Sequence, residues 1–462
     1  MKVENKWLVL FTVSVGIFMS TLDSSILNIA NPTIARDLGV GINQVQLVAT
    51  SYITSITALL LLFGKLGDRL GGHKIYSVGF LIFAAGSLLS SFAVSLTLLV
   101  SFRIIQAIGA AMMMSTGNGI VSNVFPINER GRALGITATV VAIGTLTGPS
   151  IGGFLVSAFG WPSIFLVNVP VGIAGFLLSV KVLPAFPGER PTGPFDYPGF
   201  LLVFIALPAF IASLSGSEVR LWLLAISLGL IVLFILKEMR ALDPLMDLSL
   251  FRIPTLSLGS AASSTAYICY MFVTFLLPFF LERVWTQSPA VSGLLMTVIP
   301  FSTGIIAPFA GYLSDKIGSW LLSSAGMLIM TAGLGILSFL PGSMSYTVLL
   351  FGMIGVGLGM GLFNSPNSSS IYTACPQQKA GIVGSFLAVV RNISMATGVA
   401  LSVIFLSLGS SHTVQSADAF MSGFSLAMRA AALIGFSGAV LTMVKGWEDI
   451  RKQSQPSETD PG

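Results

Sequence analysis

Long apolar segments separated by short polar connections recur along the whole chain of 462 residues. A helix needs about 20 mostly apolar residues to cross the roughly 30 Å hydrocarbon core of a bilayer. Fourteen segments approach or exceed that length, so the pattern predicts an all-α polytopic membrane protein with fourteen transmembrane helices. The predicted spans are residues 7–29, 45–63, 75–95, 98–121, 134–159, 164–183, 197–214, 219–236, 256–281, 291–313, 320–340, 346–369, 381–408 and 420–444.

Two short motifs occur twice, about 248 residues apart. GKLGDRLG at residues 64–71 returns as GYLSDKIG at 311–318, and FPINERGRALG at 125–135 has a weaker counterpart in CPQQKAGIVG at 375–384. Many secondary transporters are built from repeats, with the substrate site at their interface. We therefore predict two pseudo-symmetric six-helix halves, at 1–185 and 251–446. A linker with two additional transmembrane helices, 186–250, would lie between them, and a cytoplasmic tail, 447–462, would follow.

The composition agrees with a chain that has lipid as its solvent. Hydrophobic residues make up 54% of the sequence, charged residues 9%, and the mean hydropathy is +0.90, whereas soluble domains carry about 25% charged residues. The net charge of +5 is spread over short connections, so we expect no nucleic-acid partner. Two cysteines and two histidines without metal-ligand spacing lead us to expect no metal and no cofactor.

Lysine and arginine are concentrated in alternate connections. With the N-terminus in the cytoplasm, the cytoplasmic connections and ends hold seventeen of them, and the opposite connections hold three, Arg36, Arg220 and Arg283. Cytoplasmic loops carry such an excess. We therefore predict a multi-pass protein of the cell membrane, inner or plasma, with both termini cytoplasmic. The first apolar run is too long for a signal-peptide core, and we expect it to be a retained helix.

The repeated loop motif is a candidate inner gate. Its residues are Gly64, Asp68 and Arg69 in the first copy and Asp315 and Lys316 in the second. Glycines allow two helices and a turn to approach closely, and charges of both signs can pair or cap helix ends. Such a cluster can hold the two halves together and release them. The alternative is an ordinary basic loop with turn glycines.

The fifth predicted span contains GTLTGPSIGG, residues 144–153. Pro149 removes a backbone donor and bends the helix, while Gly144, Gly148 and Gly152 leave one face bare for a neighbouring helix. This favours a hinge between moving helices. Any kinked helix packed in a bundle would show a similar pattern.

Four ionisable residues fall within predicted spans: Asp23, Arg103, Arg391 and Arg429. Charges in the bilayer are costly and are functional candidates by default. Asp23 lies about six residues, roughly 9 Å, before the end of the first span, and Arg103 about five residues after the start of the antiparallel fourth. The two are therefore expected to pair. A conformational change that altered the pairing or burial of the carboxylate would load or release a proton. The alternative is a static ion pair.

Arg391 and Arg429 are predicted near mid-membrane, where a structural or cavity role is favoured over a dedicated anion site. With Asn28, Tyr52 and Gln106 they form our set of cavity or substrate candidates.

Several motifs together resemble the major facilitator superfamily, in particular its 14-helix drug:proton antiporter branch. GKLGDRLGGHK resembles the family's loop between helices 2 and 3, RIIQAIGAA its helix-4 motif, GTLTGPSIGG its antiporter motif and LDSSILNIANP its helix-1 motif; WPSIFLVNVPVG and GLGMGLFNSPN are similar to further landmarks. The resemblance implies alternating access and proton-driven export. It also implies that Asp68 and Arg69 gate the inner side, Arg103 and Asp23 handle protons, and Gly148 and Pro149 form the antiporter hinge. The sequence departs from the pattern at Gly72, His73, Ser25, Asn31 and Pro162.

The leading hypothesis is a proton-coupled exporter of small amphipathic compounds such as drugs, antiseptics and dyes. The alternative is a dedicated exporter of an anionic or zwitterionic metabolite or antibiotic, since one buried acid and three buried arginines suit such a substrate. An enzyme would need a set of reactive groups facing a cavity, and a channel would need a selectivity ring; the sequence indicates neither. The expected partners are a small molecule, protons and the lipid bilayer, and we expect a monomer.

Overall fold

The computed structural model describes residues 5–185, 196–214, 219–240, 248–375, 380–410 and 416–453. Within these residues the chain forms sixteen α-helices, one short 3₁₀ helix (Leu248–Arg252) and no strand. The helices are α1 (Lys6–Asp37), α2 (Ile42–Leu70), α3 (Gly72–Ser91), α4 (Leu96–Val124), α5 (Ile127–Phe159), α6 (Ser163–Leu166), α7 (Asn168–Val182), α8 (Tyr197–Leu214), α9 (Leu221–Glu238), α10 (Pro254–Arg283), α11 (Pro289–Met296), α12 (Val298–Ile317), α13 (Ser319–Leu337), α14 (Tyr346–Ala374), α15 (Ala380–Gly409) and α16 (Ala417–Gln453).

The predicted fourteen-helix membrane fold is confirmed. Thirteen segments of the described chain are long and apolar enough to cross a membrane, with α6 and α7 forming one crossing (Ser163–Val182) and α11 and α12 another (Pro289–Ser314). The 29 residues of α2 supply the fourteenth. Several helices are longer than predicted: α1 passes through Pro32 and ends at Asp37 rather than at residue 29. Apolar runs mark the part of a helix that lies in lipid, while backbone hydrogen bonding continues beyond it.

The repeated loop motif has the same backbone conformation in both copies. Gly71 and Gly318 have φ angles of 94° and 95°, which side chains rarely adopt. Each amide closes the preceding helix, to the Gly67 carbonyl at 2.9 Å and to the Ser314 carbonyl at 3.0 Å. The sharp α2–α3 and α12–α13 turns follow from these glycines. Helices α1 to α7 pack mainly on one another, as do α10 and α12 to α16, whereas α11 packs mainly on α5 of the first half. The predicted domain limits stay a prediction.

The two ends of the bundle differ in how tightly they are closed. We call the end with the α2–α3 and α4–α5 connections the basic side, and the end with the α1–α2 connection the opposite side. At the opposite side, residues 29–35 of α1 and 271–281 of α10 are buried without interruption. Towards the basic side, a Cβ added at Gly64, Gly119, Gly135 or Gly304 would meet nothing within 4 Å. The α1 and α10 segments at the opposite side are therefore tightly packed, whereas these four glycines towards the basic side face open space.

The first of the two additional helices lies against the seam between the halves, and the second packs on the first. α8 packs on α9 and contacts both α2 and α15. Lys237, near the end of α9, forms an ion pair with Asp196, which precedes α8. Much of α9 is exposed, including Trp222 and Leu233 at 64% and 54%, as expected of a helix that faces lipid.

Candidate functional site

A buried ion pair joins α1 to α4. The Arg103 Nη1 atom lies 2.6 Å from Asp23 Oδ2, and the two side chains are 0% and 2% exposed. The pairing expected from the sequence is therefore present. It places opposite charges where water does not reach, so the interaction is little screened.

Three further polar side chains complete this network. Asp23 Oδ1 accepts from Gln106 Nε2 at 2.9 Å and from Asn168 Nδ2 at 2.8 Å, and Gln106 also donates to Ser87 Oγ at 2.6 Å. Sequence reasoning missed Asn168 and Ser87, which come from α7 and α3. A single asparagine inside an apolar span was the available signal, because an amide in lipid needs partners.

The Arg103 guanidinium is enclosed by aromatic rings on its other side. Its central carbon lies 3.8 Å from the centre of the Tyr52 ring and 5.6 Å from that of Phe165. Among the described residues, its Nε and Nη2 atoms have no hydrogen-bond acceptor. Tyr52 and Gln106 were expected to line a substrate cavity, but both belong to this network, at 1% and 0% exposure. The Gln106 amide is bonded to both members of the ion pair, whereas Tyr52 contributes the ring that packs against the guanidinium.

A central cavity lies between the halves, beside the network. It is lined from the first half by α1 and α5 and from the second by α10, α11 and α12. Asn28, a predicted candidate, is one of its walls. All nine lining residues are uncharged: Ser25, Asn28, Ile29, Thr145, Pro149, Tyr270, Thr274, Met296 and Pro300. The cavity can therefore form hydrogen bonds with a ligand and contact its apolar parts, without pairing with a charge.

The glycines of α5 form a smooth groove against α1. Ser25 Oγ donates to the Gly144 carbonyl at 3.1 Å. A Cβ added at Gly148 would lie 1.7 Å from Ser25 Oγ. At Gly152 an added Cβ would lie 3.1 Å from Ile26. The predicted hinge motif is thus in contact with the helix that carries Asp23.

A second face of the same α5 segment packs tightly against the second half and closes the cleft there. A Cβ added at Gly153 would lie 2.4 Å from the Pro289 carbonyl oxygen, and one added at Gly293 would lie 2.2 Å from that of Pro149. The hydroxyls of Ser150 and Thr297 are 2.6 Å apart. Helices α5 and α11 therefore touch backbone to backbone at the opposite side.

The inner-gate candidates are not gathered in one cluster by the described contacts. Gly64 was expected where two helices approach closely, but a Cβ added there would meet nothing within 4 Å. The close approach is at Gly67, where an added Cβ would lie 2.5 Å from Thr116 Cγ2. Lys316 lies over the Tyr312 ring at 4.5 Å. The side chains of Asp68 and Asp315 lie outside the described residues. Arg69 is half-buried and has a partner.

The two arginines of the second half have different surroundings. Arg391 on α15 is half-buried, and its guanidinium lies beside the Tyr267 hydroxyl. Arg429, expected at a cavity, lies instead on the outer face of α16 with exposed Leu426, Leu433 and Phe436, over the Phe339 ring at 5.7 Å. A long cationic side chain on a lipid-facing surface extends its charge towards the interface. Arg429 therefore leaves the set of cavity candidates.

Comparison with known families gives a match over most of the chain. The family model of the Major Facilitator Superfamily matches residues 13–399, with a further match at 259–461. The riboflavin transporter RibZ of Clostridioides difficile is 41% identical over 445 residues, 95% of this chain and 97% of that protein. The multidrug resistance protein Stp of Mycobacterium tuberculosis is 33% identical, over 85% of this chain and 74% of that protein.

A solved structure has the same fold. It is that of a bacterial homologue of the human drug peptide transporters PepT1 and PepT2, with a TM-score of 0.68 and 16% sequence identity. The similarity covers 97% of this chain and all of the other.

Proposed function

Because this chain belongs to the major facilitator superfamily, we propose that it is a proton-coupled antiporter that exports small amphipathic compounds by alternating access. The observation that carries the proposal is the position of Asp23. This buried carboxylate is bound by donors from α4 and α7, on the same helix as two walls of the central cavity, Ser25 and Asn28. A movement of α1 can therefore affect the proton site and the cavity together.

Proton coupling requires the carboxylate to change partners between two conformations. In this conformation Asp23 accepts all of its contacts, which is the behaviour of an ionised carboxylate. We propose that opening of the opposite side withdraws Arg103 and Gln106, so that Asp23 takes up a proton there. Return to this conformation restores the donors and releases the proton at the basic side.

The seal between α5 and α11 provides the alternating access. Its contacts are made by backbone at Gly153 and Gly293, so it can separate without removing large side chains from a packed core. The Gly-Pro segment of α5 would transmit that separation to α1 through Gly148. We assign the basic side to the cytoplasm of a cell membrane, since this is where lysine and arginine accumulate. The candidate gate, Gly64, Asp68, Arg69, Asp315 and Lys316, would close that side in the alternate state.

A second candidate is a dedicated transporter of one metabolite. The relative at 41% identity is a riboflavin transporter, and the uncharged cavity offers hydroxyl and amide groups, including Asn28 and Tyr270, that suit a neutral heterocycle such as riboflavin. A multidrug exporter and a riboflavin transporter differ in selectivity. The same coupling site can serve both.

Inside-out membrane vesicles containing the chain test both candidates. With an acidic lumen, we expect accumulation of substrate that collapses when a protonophore is added, because outward proton flow drives it. The panel is riboflavin, ethidium, rhodamine 6G and fluorescein, with vesicles lacking the protein as the control. Accumulation of riboflavin alone supports the dedicated transporter, and accumulation of several dyes supports the multidrug exporter. Uptake that is unchanged by the protonophore would contradict proton coupling.

A further inference from the structure

Arg391 is a cation in the middle of the second half. Of the residues that the structure describes, no carboxylate forms an ion pair with it. Its guanidinium lies beside the Tyr267 hydroxyl, which donates to Asn364 Oδ1 at 3.1 Å. Helices α15, α10 and α14 each supply one member of this Arg391 triad, defined as Arg391, Tyr267 and Asn364.

The triad differs from the other buried arginine site. Arg103 is neutralised by Asp23 at 2.6 Å and is fully buried. Arg391 is half-buried beside the neutral Tyr267 hydroxyl, and no ion pair of the described residues includes it. A guanidinium has five N–H donors in a planar fork, and a single contact with a phenol leaves most of them available.

The triad adjoins the central cavity. Tyr267 is three residues from Tyr270 on α10, and Tyr270 is one of the cavity walls. Residues three apart lie on the same face of a helix, about 4.5 Å apart along its axis. Tyr267 is the nearer of the two to the basic side. The triad therefore continues the uncharged cavity by about one helical turn.

We propose that the Arg391 triad is the subsite that binds an anionic oxygen group of the substrate, a carboxylate or phenolate, while the uncharged cavity holds a planar, apolar body. The transported class is then amphipathic anions rather than cationic drugs. Arginine binds such oxygens through paired N–H donors, and Tyr267 and Asn364 add a hydroxyl and an amide beside the guanidinium. This inference rests on the proposed function and specifies its substrate.

Two dyes with the same xanthene ring system and opposite charge test the subsite. Fluorescein carries a carboxylate and a phenolate, and rhodamine 6G is a cation. Binding to the purified full-length chain is measured by fluorescence polarisation in detergent. We expect fluorescein to bind more tightly than rhodamine 6G. Arg391→Gln should raise the Kd for fluorescein by about tenfold to hundredfold, which corresponds to the loss of a hydrogen bond to a charged group. Rhodamine 6G binding should stay the same or become tighter.

Arg429→Gln is the matched control, because it removes an arginine of the same half from the lipid-facing surface of α16. It should leave both affinities unchanged, and Arg391→Lys should restore part of the fluorescein binding. Fluorescein binding that Arg391→Gln leaves intact, or a preference for rhodamine 6G in the intact chain, overturns the subsite. If protonophore-sensitive dye uptake persists in that case, the proposed function stands without it. Binding of neither dye, together with no gradient-driven uptake, contradicts both.

Discussion

Asp23→Asn should reduce gradient-driven transport to the level of vesicles without the protein. Asparagine keeps the size of the side chain but cannot bind and release a proton. The substitution also leaves Arg103, which is 0% exposed, without its counter-charge. Breaking a buried ion pair by removing one partner costs about 3–5 kcal/mol. Loss of transport in this variant alone would therefore not separate coupling from folding.

The double variant Asp23→Asn, Arg103→Gln separates the two effects. It removes both charges, so we expect it to regain most of the thermal stability in detergent that Asp23→Asn alone loses. Gradient-driven transport should stay absent. Asp418→Asn, a change at an exposed carboxylate at the start of α16, is the control and should behave as the intact chain. Recovery of transport together with stability in the double variant would mean that the pair is a static connection between α1 and α4.

Gly153→Ala should prevent closure of the opposite side. The new Cβ would lie 2.4 Å from the Pro289 carbonyl oxygen, and a backbone atom cannot rotate away as a side chain can. Overpacking costs about 1–3 kcal/mol, which corresponds to roughly a 5- to 150-fold shift between two conformations. We expect the sealed state to become rare and transport to fall accordingly.

The measurement uses a cysteine in place of Met296, a wall of the central cavity, in a chain whose Cys269 and Cys375 are replaced by serine. In right-side-out vesicles, a membrane-impermeant maleimide should label this cysteine faster when Gly153 is alanine. Gly335→Ala is the matched control, since an added Cβ there meets nothing within 4 Å. Equal labelling rates in the two variants would exclude the α5–α11 contact as the seal.

The membrane fold and the ion pair could be predicted from the sequence because both depend on the cost of burying charge in lipid. Apolar runs separated by short polar connections leave few arrangements other than a helical bundle. Asp23 and Arg103 were identified as rare charges within such runs. Their contact holds although α1 continues eight residues past the predicted end of the span at residue 29. The prediction depended on where lipid ends, and not on where the helix ends.

The remaining parts of the site depend on tertiary contacts that a single sequence does not specify. Asn168 reaches Asp23 because α7 packs beside α1, and Ser87 joins through Gln106 and Asn168 because α3 packs on α4 and α7. Spans of similar apolarity give no sign of which are neighbours. Gly64 and Gly67 have the same motif context, yet only Gly67 faces a neighbouring helix. Arg391 and Arg429 looked alike in the sequence and differ in which helix face they occupy.

The position of α8 has a consequence for compounds that partition into the bilayer. α8 lies across the seam between α2 and α15, where Leu207 and Phe210 lie beside Thr57 and Ile393. This helix shields the cleft from the surrounding acyl chains along that seam. On the other seam, Gly135 of α5 and Gly304 of α12 face open space. We therefore expect compounds that partition into the bilayer to reach the cleft less readily along the α2–α15 seam than along the α5–α12 seam.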